Sequence, residues 1–214
     1  MKIFKDYFLV IAGSFFMGLG IALTKCAELG LSTISSVPNV ISIKFDFFTL
    51  GTWSAIWNLV MILAQILILR RKFNPTQFMQ IPVAIIFGWF TDFGVWMFSH
   101  IPASFYAVKL LMTVMGVTVL AFGISVTVIA NRVLNPAEAV VKVVADKLKR
   151  DFSNMKIAFD VFCVALAVVL PLLLFDFKLV GIGEGTIIAM LGTGVFVKLF
   201  VRRLKTNSKE VKKT

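Results

Sequence analysis

The sequence predicts an all-α, polytopic membrane protein of six transmembrane helices. They form two inverted three-span repeats, each with a short amphipathic or re-entrant helix after its first span. Three observations carry this expectation. The 214-residue chain is 59% hydrophobic, only 15% charged, and has a mean hydropathy of +0.93. That is more apolar surface than a soluble domain of this size keeps from water. Long apolar windows fall near 7–25, 50–69, 78–98, 107–130, 157–175 and 180–201. Finally, the chain resembles itself at a shift of 103 residues.

The first window follows Lys2 and Lys5, as a signal peptide would. Its apolar run is about 18 residues long and no small-x-small site closes it, so it reads as a retained first helix. Glycines 13 and 20 lie within it, and Lys25 and Glu28 mark its far end. These two pair across the turn or line its mouth. The stretch "GIALTKCAELGLSTISS" (20–36) then runs into a helix expected over about 33–45, with Ser32 in the cap position. Its stripe of Ile34, Val37, Ile41 and Phe45 is nearly uncharged, and Pro38 lies inside it. A helix dipping into the protein is favoured here.

The second and third windows carry Asn58, Gln65 and Asp92. Asn58 and Gln65 would hydrogen-bond a substrate or a neighbouring helix. Asp92 lies within "GWFTDFGVW" at apolar depth, where an ionisable group defaults to a functional hypothesis. It reads either as a proton, cation or amine site, or as a helix-end acid facing outer water. Trp53, Trp57, Trp89 and Trp96 read as stacking platforms or, more commonly, as interfacial anchors and packing residues.

The fourth window begins the second copy. Laid over 20–36, "GISVTVIANRVLNPAEA" (123–139) belongs to a 32-pair ungapped alignment of 13–44 with 116–147. Nine pairs are identical, among them Gly13/Gly116, Gly20/Gly123, Ile21/Ile124 and Thr24/Thr127. Composition alone gives roughly 10%. Each copy holds three spans, an odd number, so the second copy is expected upside down relative to the first. That is a plan used by secondary transporters, with the binding site between the halves. Asn135 is a good N-cap, Pro136 suits the first helical position, and Glu138 falls where a capping-box acid sits. The helix expected over about 136–150 is one-sided: Val140, Val141, Val144 and Leu148 oppose Lys142, Asp146 and Lys147. For this copy a helix lying flat at the interface is favoured. The alternative aims its N-terminus, with free N–H groups and partial positive charge, at an anionic ligand in a cavity.

The fifth window contains Asp160, four residues after Lys156 and in reach of it, and Pro171. The sixth opens on "GIGEGT", where Glu184 stands either in a ligand loop or in an exposed turn. Of 22 basic residues, Lys25, Lys44, Lys109 and Lys178 are the four on one side of this topology. By the Lys/Arg rule the other side, with both termini, is cytosolic. The net charge of +11 therefore reads as membrane topology rather than nucleic-acid binding. Cys26 and Cys163 have no metal spacing, the single histidine lacks partners, and no catalytic constellation appears. Neither enzyme chemistry nor a cofactor or metal is expected. The domains are a first repeat over 1–104, a second over 105–203, and a basic tail over 204–214.

The turn and amphipathic helix, followed by "LGTWSAIWNLVMILAQILILRR", then "LNPAEAVVKVVADKL" and "VGIGEGTIIAMLGTGVFVKLF", resemble bacterial membrane proteins of the YczE/YyaS/YitT type. Where that type has a Gly-Ile-Gly-Thr-like start to its last span, Glu184 and Gly185 are interposed before Thr186. The resemblance implies a small polytopic protein of the bacterial plasma membrane, with transport of a polar or vitamin-like solute as the expected role. It carries over no functional residues. The expected site lies between the repeats near 28–36 and 131–138, drawing on Asp92, Glu184, Glu28, Ser32, Asn58, Asn135 and Glu138. Expected partners are the bilayer and a small solute, with room for a homo-oligomer and none for nucleic acid. Two other roles stand beside transport: a substrate-binding subunit of a larger importer, and a structural or regulatory membrane protein.

Overall fold

The computed structural model describes residues 2–130, 133–175, 178 and 180–210. Of the expected turn at 131–138, positions Asn131 and Arg132 lie outside the described residues, as do 211–214 of the basic tail. The described chain is helical throughout: α1 (Lys2–Ala27), α2 (Thr33–Lys44), α3 (Leu50–Leu69), α4 (Gln80–Phe98), α5 (Tyr106–Ala130), α6 (Pro136–Leu148), α7 (Phe152–Leu174) and α8 (Glu184–Glu210). Two 3-10 turns, Arg70–Lys72 and Pro75–Met79, connect α3 to α4. Six segments are long and apolar enough to cross a membrane: Asp6–Ala27, Leu50–Lys72, Pro75–Phe98, Tyr106–Ala130, Asn154–Leu174 and Glu184–Leu204. The protein is a multi-pass membrane protein. The short helices α2 and α6 are the two that do not span.

Local chemistry sets the helix ends. Asn135 Oδ1 accepts from Ala137 N at 3.3 Å, and Pro136 occupies the first turn. Lys149 closes α6 in the left-handed region at φ 53°. Arg150 N reaches back to Ala145 O at 3.0 Å, a Schellman-type ending. Thr49 caps α3 by accepting from Thr52 N at 3.1 Å. Ser32 precedes α2 but its side chain makes no capping bond, unlike its counterpart Asn135. Pro171 lies inside α7 and α7 ends three residues later, with Phe175 N donating to Pro171 O. α8 begins at Glu184, a little later than the expected 180, because the glycines before it form the turn.

α1 and α5 cross through glycine, and the contact is self-complementary. A Cβ on Gly13 would sit 2.8 Å from Gly123 O, and one on Gly116 would sit 2.8 Å from Gly20 O. The threonines repeat the relation: the first Cβ would meet Thr127 Cγ2, the second Thr24 Cγ2 at 2.7 Å. Each pair maps onto the other at the 103-residue shift, as the two sides of a two-fold contact do. Gly13 faces Gly123 while Gly20 faces Gly116, so the helices run antiparallel. No side chain larger than hydrogen fits there, and backbones this close gain dispersion contacts that a lipid-immersed bundle cannot obtain from water.

Around this pair the packing exchanges partners. α4 lies on α1 as α8 lies on α5, and α2 packs on α7 as α6 packs on α3. Helix starts recur at nearly the same shift: 136 − 33 = 103, 152 − 50 = 102 and 184 − 80 = 104. The exchange is incomplete: α3 packs along α4 while α7 and α8 have no comparable contact, and α2 touches α8 while α6 and α4 have no comparable contact.

α6 does not lie flat. Pro136, Ala137, Glu138, Ala139, Val140 and Val141 are consecutive and all buried. A helix resting on an interface would bury one stripe only, whereas the first half of α6 is enclosed on every side between α3 and α7. α2 is enclosed likewise from Ser35 to Val40, as expected for a dipping helix.

The glycine contact gives a direct expectation. Gly116→Val should lower the melting temperature of the detergent-solubilised protein, at a cost of about 1–3 kcal/mol for overpacking. Gly194→Ala, in open space with nothing within 4 Å of the new Cβ, should leave it unchanged or raise it, since alanine favours the helix by roughly 1 kcal/mol.

Candidate functional site

Helix starts leave N–H groups without intrahelical partners. In this fold the N-terminal ends of α2 and α6 open onto one cavity of about 650 Å³. Such a volume falls within the roughly 300–1,000 Å³ typical of small-molecule sites. Ser32, Thr33 and Ser35 line it from α2, and Asn135 and Glu138 from α6. Ser54, Trp57 and Asn58 come from α3, Lys156 and Asp160 from α7, and Thr193 and Lys198 from α8. The apolar wall is Met17, Ile21, Phe87, Leu120 and Ile124. The exposed Ile157 and Met190 stand at its edge, where α7 and α8 part.

Hydroxyls in membrane helices usually satisfy themselves. Ser14, Thr91, Thr113 and Ser125 each donate to the carbonyl four residues back. In the cavity this rule lapses: Ser54 Oγ, Trp57 Nε1, Glu138 Oε2 and Thr193 Oγ1 are buried without a hydrogen-bond partner among the described residues. An unmet buried polar atom costs about 1–3 kcal/mol. Four around one cavity mark it as built for a polar-bearing occupant. Asp160 is already engaged, accepting from Lys156 Nζ at 2.6 Å and from Thr33 Oγ1 at 2.8 Å. Asp160 thereby sets a carboxylate against the first turn of α2, where a negative charge is favoured. Glu138 holds the corresponding place in α6, but burial pushes its carboxyl up to about 7, with the Lys156 ammonium opposing and Asp160 adding to the rise.

Of the residues expected at the site, Ser32, Asn58, Asn135 and Glu138 line the cavity. Asn58 donates from Nδ2 to Ser54 O at 3.0 Å, leaving its carbonyl oxygen for other partners. The other three expected residues lie elsewhere. Asp92 is bound to the start of α3: its Oδ1 accepts from Gly51 N at 2.8 Å and its Oδ2 from Thr49 Oγ1 at 2.6 Å. Glu28 and Glu184 belong to the face where α1 ends. There Lys109 donates to Glu28 at 2.6 Å and holds its carboxyl below the usual range, and Tyr106 Oη donates to Glu184.

Other bonds tie the two halves on that same face. Gly185 N donates to Leu29 O at 2.7 Å. Asn39 Nδ2 donates to Gly181 O at 3.0 Å while its Oδ1 accepts from Lys25 Nζ at 2.6 Å. Gly30 and Gly181 lie in the left-handed region at φ 104° and 80°, which these close approaches require. Toward the opposite face the cavity is lined by Val128, Lys156, Lys198 and Val201.

Gln65 serves a neighbouring helix rather than the cavity. It exchanges amide bonds with Gln80 at 3.0 and 3.2 Å and donates to Pro136 O at 3.2 Å, tying α3 and α4 to the tip of α6. Of the tryptophans, Trp57 alone lines the cavity. Trp53 joins a cluster with Phe45, Phe47 and Phe48, and Trp89 and Trp96 face outward. Sequence reasoning singled out neither Ser54 nor Thr193. Nothing in the pattern distinguishes a hydroxyl that bonds its own helix from one that does not.

The chain belongs to a family of unknown function, DUF6198, whose model matches residues 4–202. Comparison with curated proteins and with solved structures finds no match.

Two expectations follow from these positions. Asp92→Ala should cost about 1 kcal/mol, as loss of a helix cap does, and leave the pH dependence of any uptake intact. Glu138 is an acid whose folded pKa stands above its ordinary value, so the wild type loses stability as pH rises from 4.5 to about 7. Glu138→Gln should abolish that slope. Melting temperatures of the two proteins should agree at acidic pH, with the variant higher above neutrality.

Proposed function

We propose that the protein is a transporter of a small organic solute, with its site in the cavity between two inverted repeats. The observation that carries this reading is the convergence of both short helices on one cavity lined by four unpartnered polar atoms. A structural membrane protein has no use for polar groups left unsatisfied at that depth, since each is a standing cost. The antiparallel, self-complementary crossing of α1 and α5 supports the inverted repeat. Inverted halves with a central site are the plan by which transporters alternate access.

In this reading the bonds Glu28–Lys109, Leu29–Gly185 and Asn39–Gly181 form a closed gate. The cavity then communicates with the side where Lys156 and Lys198 stand. With both termini cytosolic, as the Lys/Arg distribution favours, this is an inward-facing state in a bacterial plasma membrane. The likeness to YczE/YyaS/YitT-type proteins, carried by the sequence motifs alone, points the same way.

Side-specific labelling tests this without knowledge of the substrate. Ser54→Cys, in a chain with Cys26 and Cys163 changed to serine, is reconstituted into liposomes and treated with membrane-impermeant maleimide from each side. Labelling is expected from both sides. Adding Glu28→Cys and Lys109→Cys and bridging them with a short thiosulfonate cross-linker before labelling should confine it to one side. Reduction of the bridge should restore it. Labelling from one side only, with or without the bridge, refutes alternating access.

A further inference from the structure

We propose that the cavity binds a lipophilic organic cation, a quaternary or protonated amine on an apolar or aromatic body, with Glu138 as its counter-ion. This rests on the transport reading above and names the substrate class of the same cavity.

The charges around Glu138 point to a cation. From α7, Lys156 and Asp160 act on it, but they neutralise each other through their 2.6 Å bond. Lys198 of α8 is exposed at the rim. The facing groups of α2 and α3, namely Ser32, Ser35, Ser54 and Asn58, carry no charge. Glu138 is thus the uncompensated carboxylate among the lining residues, buried to 7% exposure with Oε2 unpartnered. An anion is disfavoured at both helix N-termini, because each already has a carboxylate at its first turn. The symmetry-related position of Glu138 is Ser35, so the negative charge belongs to one half alone.

The rest of the ligand follows from the wall and the route. The lining is dominated by aliphatic and aromatic groups, with Trp57 among them as an aromatic partner of the kind that attracts cations. α7 and α8 make little contact among the described residues, and the cavity-lining Ile157 of α7 and Met190 of α8 are exposed on the apolar surface of the protein. An amphipathic cation partitioned in the bilayer reaches the cavity there without crossing water.

Without ligand, burial pushes the Glu138 carboxyl up to about 7, so the proton is held in about half of the molecules at neutrality and in most of them below it. Arrival of the cation breaks the carboxyl O–H bond, the proton leaves to water, and the carboxylate pairs with the cation. One positive charge replaces another, so the site exchanges a proton for its ligand.

The test uses the purified full chain in nanodiscs with tetraphenylphosphonium, a permanent cation, and tetraphenylborate, an anion of the same shape. Tetraphenylphosphonium should bind, with about half a proton released per cation near neutral pH and about one well below it. Its affinity should fall about tenfold per pH unit below the Glu138 pKa. Glu138→Gln should weaken binding at least about tenfold at alkaline pH and remove both proton release and pH dependence. Should that variant fail to fold, the wild-type pH profile and proton count decide alone. Binding that is independent of pH, tetraphenylborate binding as tightly as the phosphonium, or no phosphonium binding at all overturns the proposal. If labelling has shown two-sided access, absence of phosphonium binding refutes the cation class while transport stands. If labelling is one-sided, transport fails on its own.

Discussion

The close approach of α1 and α5 through Gly13, Gly20, Gly116 and Gly123 is the constraint on which the rest of the fold depends. In lipid no hydrophobic force draws helices together, so association rests on packing and backbone approach. Four glycines provide both at one crossing, and Thr24 and Thr127 fill the space beside them. Because the contact is self-complementary, one interface fixes the antiparallel relation of α1 and α5. α4 and α8 flank this pair. That leaves α2 and α6, too short to span, to be enclosed against the opposite half's α7 and α3.

Enclosure of those two helices has an electrostatic consequence. Their N-terminal dipoles would make the cavity attractive to anions, but a carboxylate stands at each: Asp160, linked through the Thr33 hydroxyl, and Glu138 within α6 itself. The first of these is engaged by Lys156, whereas Glu138 Oε2 has no hydrogen-bond partner among the described residues. Approximate symmetry in the backbone thus coexists with asymmetry in charge. The same asymmetry appears in packing, since α3 and α4 adhere while α7 and α8 part. The buried Gln65–Gln80 pair sits on the closely packed side, where Gln65 also holds the tip of α6.

Outside the cavity, the three acids expected at the site are spent on structure, while Gln77 Oε1 and Thr186 Oγ1 are also buried without a partner among the described residues. Asp92 completes the cap of α3, Glu28 meets Lys109, and Glu184 meets Tyr106. In the sequence Glu28 and Glu184 draw attention because they stand at turns that could line a site, and Asp92 because an acid at apolar depth is expensive. That argument establishes only that such a group needs a partner, and it is silent on whether the partner is a ligand or the protein. Ser54 and Thr193 illustrate the converse: unremarkable by type, they stand out because they break the back-bonding habit of their neighbours.

The sequence by itself determined the six spans, their approximate limits and the Asn135–Pro136 start of α6, because hydropathy, periodicity and capping are local properties. It also brought Ser32, Asn58, Asn135 and Glu138 under suspicion. Only the tertiary structure decided that α6 is enclosed rather than flat, since its charged C-terminal half makes it look amphipathic while packing on α3 and α7 governs its first half. Only the tertiary structure separated Glu138 from Asp92. Whether a carboxylate finds a donor depends on helices far apart in the chain, and no pattern within one helix records that.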